Sequence, residues 1–269
     1  MAQSVNASMM ASGSGSPPVG RGRKSTSRRA TRPVWLASVP VVFQPGELSP
    51  RVRNLAAGAI QRSWEWICAV GATSPDDAHG RRFRSMGERS MIAFPPGQLF
   101  NEHWIEIGAF TLIGPHVSMS VGMWNEDLDP SAPPVIRIGD RCNIGRGGSL
   151  VARIGIAIGD DVTIAPDLYV TDHNHAYDDV EVPIARQWPH EAPVSIGSGS
   201  WIGAGVVILP GTTIGEHVTV AAGSVVRGDI PDRSVVAGVP GRVVRRWHDG
   251  AWDPPLEPRA TEPPDDWPS

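Results

Sequence analysis

The sequence predicts an all-β protein: a parallel β-helix of about five coils, with a helical or irregular N-terminal extension and disordered tails. Three observations carry this. An aliphatic residue, in most cases followed by a small one, recurs every six residues over much of the chain. Glycine and proline are abundant, 30 and 26 of 269 residues, while aromatics make up only 6%, a balance that suits a turn-rich β fold rather than a helical bundle. The period is broken at intervals, always after a complete set of three.

The repeat begins near Trp104. Ile107-Gly108, Ile113-Gly114 and Met119-Ser120 form one set, Ile138-Gly139, Ile144-Gly145 and Leu150-Val151 a second, and Ile158-Gly159, Ile164-Ala165 and Val170-Thr171 a third. Ile196, Ile202, Ile208, Ile214, Val220 and Val226 complete two more without a break. Six residues match neither a helix nor a strand alone, but they fit a short strand and a tight corner repeated around a three-sided solenoid. The aliphatic residue then points inward and stacks on its counterpart 18 residues away. With strands about 4.8 Å apart, five coils stand roughly 24 Å tall. The breaks fall between residues 119 and 138, 150 and 158, and 170 and 196. On a three-sided prism these insertions leave from one edge, one above another, and loops gathered on a rigid scaffold are where a site is built.

The flanks differ in composition. Residues 1–33 carry six basic residues and no acidic one and read as a disordered arm. Residues 34–103 read as a helix and capping region: Ser49-Pro50 supplies a start, and Val52, Leu55, Ile60, Trp64 and Ile67 recur at roughly helical spacing, predicting an amphipathic helix over 51–70 that packs on its own domain, with membrane-surface binding, which its arginines suggest, as the alternative. Residues 104–246 hold the repeat, and 247–269 form an acidic, Pro-rich tail. A net charge of −4 argues against a general nucleic-acid or membrane-surface binder. The two cysteines, Cys68 and Cys142, form no CxxC pair, so neither a disulfide framework nor a thiolate metal site is expected, and a reducing cytoplasm is the default location. No apolar run reaches the length of a membrane span.

The run Ser200-Trp201-Ile202-Gly203-Ala204-Gly205-Val206-Val207-Ile208-Leu209-Pro210-Gly211, with Ala222-Gly223-Ser224-Val225-Val226 and Ala237-Gly238-Val239-Pro240-Gly241-Arg242-Val243-Val244-Arg245, resembles the hexapeptide-repeat acyltransferases. Its nearest branch is similar to the sugar O-acetyltransferases of the galactoside and maltose type, over about residues 104–246. The resemblance implies a left-handed coil, although crossovers between parallel strands are right-handed in nearly all other proteins. It also implies a homotrimer with sites in the clefts between prisms, acetyl-CoA as acyl donor, and transfer to a hydroxyl of a sugar or glycoconjugate.

Such a transfer needs a base for the hydroxyl proton near neutral pH, and imidazole, with an ordinary pKa of about 6.5, suits it. Thr171-Asp172-His173-Asn174-His175 opens the longest insertion. His173 matches the family's catalytic histidine. His175, two residues on, is the other candidate, since alternate residues of an extended chain face the same way. Asp172 is a candidate for the substrate side or for holding the imidazole tautomer, and Asp178 and Asp179 for the latter or for turns. Asn143 or Ser149 is a candidate for binding the acceptor, and Trp124 and Trp188, in the two long insertions, for stacking on a sugar face or for loop packing. For the donor, Ala204 and Ala222 match family positions on the pantetheine arm, Trp201 an aromatic near the acetyl end, and Arg242 and Arg245 the phosphate contacts, where guanidinium pairs well with phosphate. Arg227 joins this group, although Arg227-Gly228 departs from the family's usual threonine and lysine. No resident metal is expected. The same coil also serves γ-class carbonic anhydrases, non-catalytic scaffolds and N-acyltransferases acting on amino sugars, which stand as alternatives.

Overall fold

The structure is a computed structural model that describes residues 49–122 and 132–256. The basic arm, Trp124 and the acidic end of the tail lie outside the described residues.

Successive short strands turn onto three different sheets and then return to the first, which is the topology of a three-sided parallel β-helix. Face one stacks Ser85–Met86, Ile105–Ile107, Ile136–Ile138, Ile156–Ile158, Val194–Ile196, Thr213–Ile214 and Asp229–Ile230 in that order. Face two stacks Met91–Ile92, Leu112–Ile113, Asn143–Ile144, Thr163–Ile164, Trp201–Ile202, Thr219–Val220 and Ser234–Ala237, and continues antiparallel into Arg242–His248 and Ala251–Asp253. Face three stacks Leu99–Phe100, Ser118–Val121, Ser149–Ala152, Tyr169–Thr171, Val207–Ile208 and Val225–Val226.

All fifteen repeat positions point inward and are buried, with none more than 4% exposed. They stack in register: Ile196 on Ile214, Ile202 on Val220, Ile208 on Val226. The register survives the insertions, since Ile158 still pairs with Ile196 across the longest one. Corners stack as tightly as strands. A Cβ at Gly203 would lie 2.5 Å from the Ala222 nitrogen, so only glycine fits there.

The sequence expectation needs extending at both ends. Six complete coils and a two-strand seventh are present, against about five expected. The added first coil, Ser85 to Phe100, lies inside the stretch read as a capping region, and Met86, Ile92 and Leu99 pair with Ile107, Ile113 and Met119. At the other end the sheet runs through Asp253, where Trp247 and Trp252 meet edge to face at 5.7 Å, so the tail read from residue 247 begins as ordered hairpin.

The expected helix forms over Pro50–Gly71. Its end is tied to the solenoid by Gly71 against the Phe94 ring and by the Thr73–Ile92 bridge. The expected packing of its apolar side is not observed: none of its residues is buried.

Truncating a stacked side chain removes contacts with the coils above and below, so Ile144→Ala is expected to cost about 3 kcal/mol in urea unfolding. The exposed neighbour-strand change Thr163→Ala should stay within about 0.5 kcal/mol. Equal effects would contradict the stacking.

Candidate functional site

The insertions leave where expected. Ser118–Val121, Ser149–Ala152 and Tyr169–Thr171 are all face-three strands, and the chain departs after each before returning to face one. The second and third insertions lock together there. His173–Asn174 pairs antiparallel with His190–Glu191, closing the base of the long loop, and Ala192 N–H donates to the Asp172 carbonyl at 2.8 Å.

Asp172 sits at the junction, fully buried. Its carboxylate accepts from the amides of Arg153 at 2.9 Å, Ile154 at 2.7 Å and Gly155 at 2.7 Å, all from the second insertion. The His173 Nδ1–H donates to its Oδ1 at 2.9 Å, with Thr171 Oγ1 also 3.3 Å from Nδ1. Burial alone would push this carboxyl's pKa up, but the hydrogen bonds from His173 and the three amides outweigh it and hold the pKa below the ordinary carboxylate value. A carboxylate whose pKa is lowered and whose oxygens are saturated with donors accepts only from a protonated nitrogen, so the imidazole proton sits on Nδ1. Nε2 of His173 is thereby left as the free acceptor. The Asp172 carboxyl is buried, and its oxygens are taken up by His173 and the three amides.

His175 is exposed and lines an open cavity of about 250 Å³ with Asn174, Tyr177, His190, Glu191 and Arg227. His190 Nε2 lies 2.5 Å from Asp178 Oδ2 at the rim. Arg227 thus stands on the histidine edge, apart from the arginines with which the sequence grouped it. Trp188 is 73% exposed, and its ring lies 5.0 Å from the Arg153 guanidinium, whose Nε is bonded to Glu191. That stacking occupies one side of the indole expected to meet a sugar. Arg153 and Glu191 are the members that sequence reading missed. The only signal was that the two insertions start from the same edge.

The other candidates gather elsewhere. Asn143 and Trp201 lie on the exposed outer row of face two, with Thr163 between them in register. Ala204 and Ala222 are exposed at successive corners between faces two and three, bridged by Gly223 N–H to the Ala204 carbonyl at 2.8 Å. Among the described residues, neither the Ala204 nor the Ala222 amide donates a backbone hydrogen bond. Arg242 and Arg245 pair with Ala237 and Val235 where face two ends. One chain therefore carries two separate groups: His173, His175, Glu191 and Arg227 on the edge between faces three and one, and Trp201, Ala204, Ala222, Arg242 and Arg245 along face two and its far edge.

A family model described as a bacterial transferase hexapeptide of six repeats matches residues 193–228, and one described as the hexapeptide repeat of succinyl-transferase matches residues 135–172. Those two stretches of the chain match hexapeptide repeats. The chain is 41% identical over 110 residues to a Mycobacterium tuberculosis protein named as an acetyltransferase, 41% of this chain and 37% of that one. It is 34% identical to Escherichia coli WbbJ, named as a lipopolysaccharide biosynthesis O-acetyl transferase, and 38% identical to the Escherichia coli galactoside O-acetyltransferase. Those matches cover 45% and 44% of this chain, which spans 65% and 60% of the lengths of these relatives. A crystal structure of a mutant of the N-acyltransferase AntD from Bacillus cereus, in complex with dTDP and coenzyme A, shares the fold, with a TM-score of 0.54 and 22% identity over 66% of this chain and 91% of that one.

Because the folded-state pKa of Asp172 is depressed, its contribution to stability is present above the unfolded carboxyl's value and is lost as pH falls through the folded value. Urea midpoints measured from pH 7 downward should drop on that acid limb in the native chain, and the drop should be shallower in Asp172→Asn. An unchanged acid limb in the variant would contradict the burial and bonding described.

Proposed function

We propose that this protein is an acetyl-CoA-dependent O-acetyltransferase acting on a hydroxyl of a sugar or glycoconjugate, built as a left-handed coil and working as a homotrimer with His173 as general base. The observation that carries this reading is the fixed tautomer of His173: the buried Asp172 carboxylate holds Nδ1–H, leaving Nε2 to accept a proton at the edge where the insertions collect. His175 lacks such a partner among the described residues and is assigned to the acceptor cavity instead.

In this reading the acceptor hydroxyl lies against Nε2, which takes its proton as the oxygen attacks the thioester carbonyl. The carbon–sulfur bond then breaks, and the imidazolium returns the proton to the departing sulfur. No acyl-enzyme is needed. The ionised Asp172 offsets the positive charge that His173 carries between these steps.

The donor fits the second group of residues. Exposed alanines at two successive corners leave a narrow strip with free amides, suited to a thin chain carrying its own amide groups. Arg242 and Arg245 at one end of the strip suit phosphates. The two groups occupy different edges of one chain, so a second copy must present its face-two edge to this chain's histidine edge. That contact is heterologous, and repeated about a threefold axis it closes a ring of three.

Release of free CoA from acetyl-CoA with a panel of sugars and amino sugars tests the reading and separates O- from N-transfer. His173→Ala is expected to lower kcat by about 10²- to 10⁴-fold with little change in KM for acetyl-CoA. Arg242→Ala should instead raise that KM. Sedimentation should give three times the 28.7 kDa chain mass. Undiminished turnover by His173→Ala would refute the base assignment, and an active monomer would refute the shared site.

A further inference from the structure

The helix Pro50–Gly71 is the one long amphipathic element among the described residues, and the solenoid gives its apolar side nothing to cover. At 3.6 residues per turn, Val52, Leu55, Ala59, Trp66, Ile67 and Val70 fall within about a third of its circumference. Leu55 is 74% exposed, Trp66 66% and Val70 65%. Arg51 and Arg62 stand at one margin of this arc and Arg53 at the other, with Trp64 beside it, while Asn54, Gln61 and Glu65 occupy the opposite side.

We propose that this helix lies in the surface of an anionic phospholipid membrane, apolar arc inward. Three features of the chain favour that occupant over a second copy. First, Trp66 one turn from Arg62, and Trp64 at the opposite margin of the apolar stripe, suit the boundary between acyl chains and headgroups, where the indole N–H and the guanidinium reach polar groups while their stems stay apolar. Second, the charge is complementary: residues 1–71 hold nine basic residues against Glu47 and Glu65, although the whole chain carries −4. Each basic residue near an anionic surface adds to binding. Third, the stripe makes a poor seam for helix pairing. Followed at alternating steps of four and three it reads Val52, Ala56, Ala59, Ser63, Trp66, Val70, with a serine and two alanines where large knobs are required. The helix lies on the surface rather than crossing it, since no helix among the described residues is long and apolar enough to cross a membrane. The argument from net charge concerns the whole chain, and the proposal concerns this segment.

The test is co-sedimentation of the full chain with vesicles of phosphatidylglycerol and phosphatidylcholine, and with vesicles of phosphatidylcholine alone. The native chain should pellet with the first and not the second, with its tryptophan emission shifted to the blue, and should be released as salt rises to about 0.5 M. Leu55→Glu combined with Ile67→Glu should weaken binding by at least about tenfold, with far-ultraviolet circular dichroism and thermal unfolding unchanged. Absence of pelleting with anionic vesicles would overturn the proposal. So would undiminished binding by the double variant, which would place the affinity in the basic arm alone. A smaller mass for the double variant by light scattering would assign the stripe to a second copy and overturn it equally.

Discussion

Each coil hydrogen-bonds to the coil above and below it through short parallel strands, and each inward aliphatic side chain rests on its counterpart one coil away. This stacking leaves no slack. At the Gly203 corner even one methyl group would press on the backbone of the next coil. A residue added within a coil would turn every following side chain to the wrong face, so additional sequence can enter only as a loop that leaves and rejoins at a corner. The insertions obey this, and Ile138, Ile158 and Ile196 stack as though the intervening loops were absent.

Confinement to one edge has a chemical consequence. Loops from successive coils emerge one strand spacing apart, so groups distant in sequence become neighbours without a core of their own. The three amides at Arg153, Ile154 and Gly155 would be orphaned donors in an isolated loop, and the Asp172 carboxylate would be costly to bury without them. Each solves the other's problem, and the His173 ring inherits the rigidity of the pair. The Arg153–Glu191 bond and the Trp188 contact fasten the same two insertions farther out.

How much of this was readable in the sequence follows from the range of each constraint. The fifteen stacking positions and the common edge of the insertions are local in period, so spacing alone revealed them. The first coil escaped because Met86, Ile92 and Leu99 drift from six to seven residues apart, and its last strand meets the second coil through Leu99 on Met119. Asp172 was legible as a candidate for holding the imidazole tautomer, but its three amide partners were hidden, because backbone groups from another insertion leave no mark in residue types. Arg227 was grouped with Arg242 and Arg245 by motif, yet it follows a face-three strand while they follow face two, a difference that only the coil count around the corner reveals. The exposed side of the helix was legible as a pattern but not as a surface, since periodicity states which residues lie together and not what covers them.

The separation of residues between two edges also bears on how such a scaffold diversifies. The face-two edge is made of corners whose geometry the stacking itself dictates, with small residues and free amides at Ala204 and Ala222. The histidine edge is made of insertions whose length the stacking leaves unconstrained beyond their two attachment points. In the proposed reading the constant ligand, the acyl donor, meets the constrained edge, and the variable one, the acceptor, meets the unconstrained edge. The two ends of the long insertion are held, the first by Asp172 and His173 and the last by the pairing of His190–Glu191 and the Arg153–Glu191 bond. The stretch between them, with Tyr177, Val180 and Ile184 exposed, is free to change without disturbing either the base or the core.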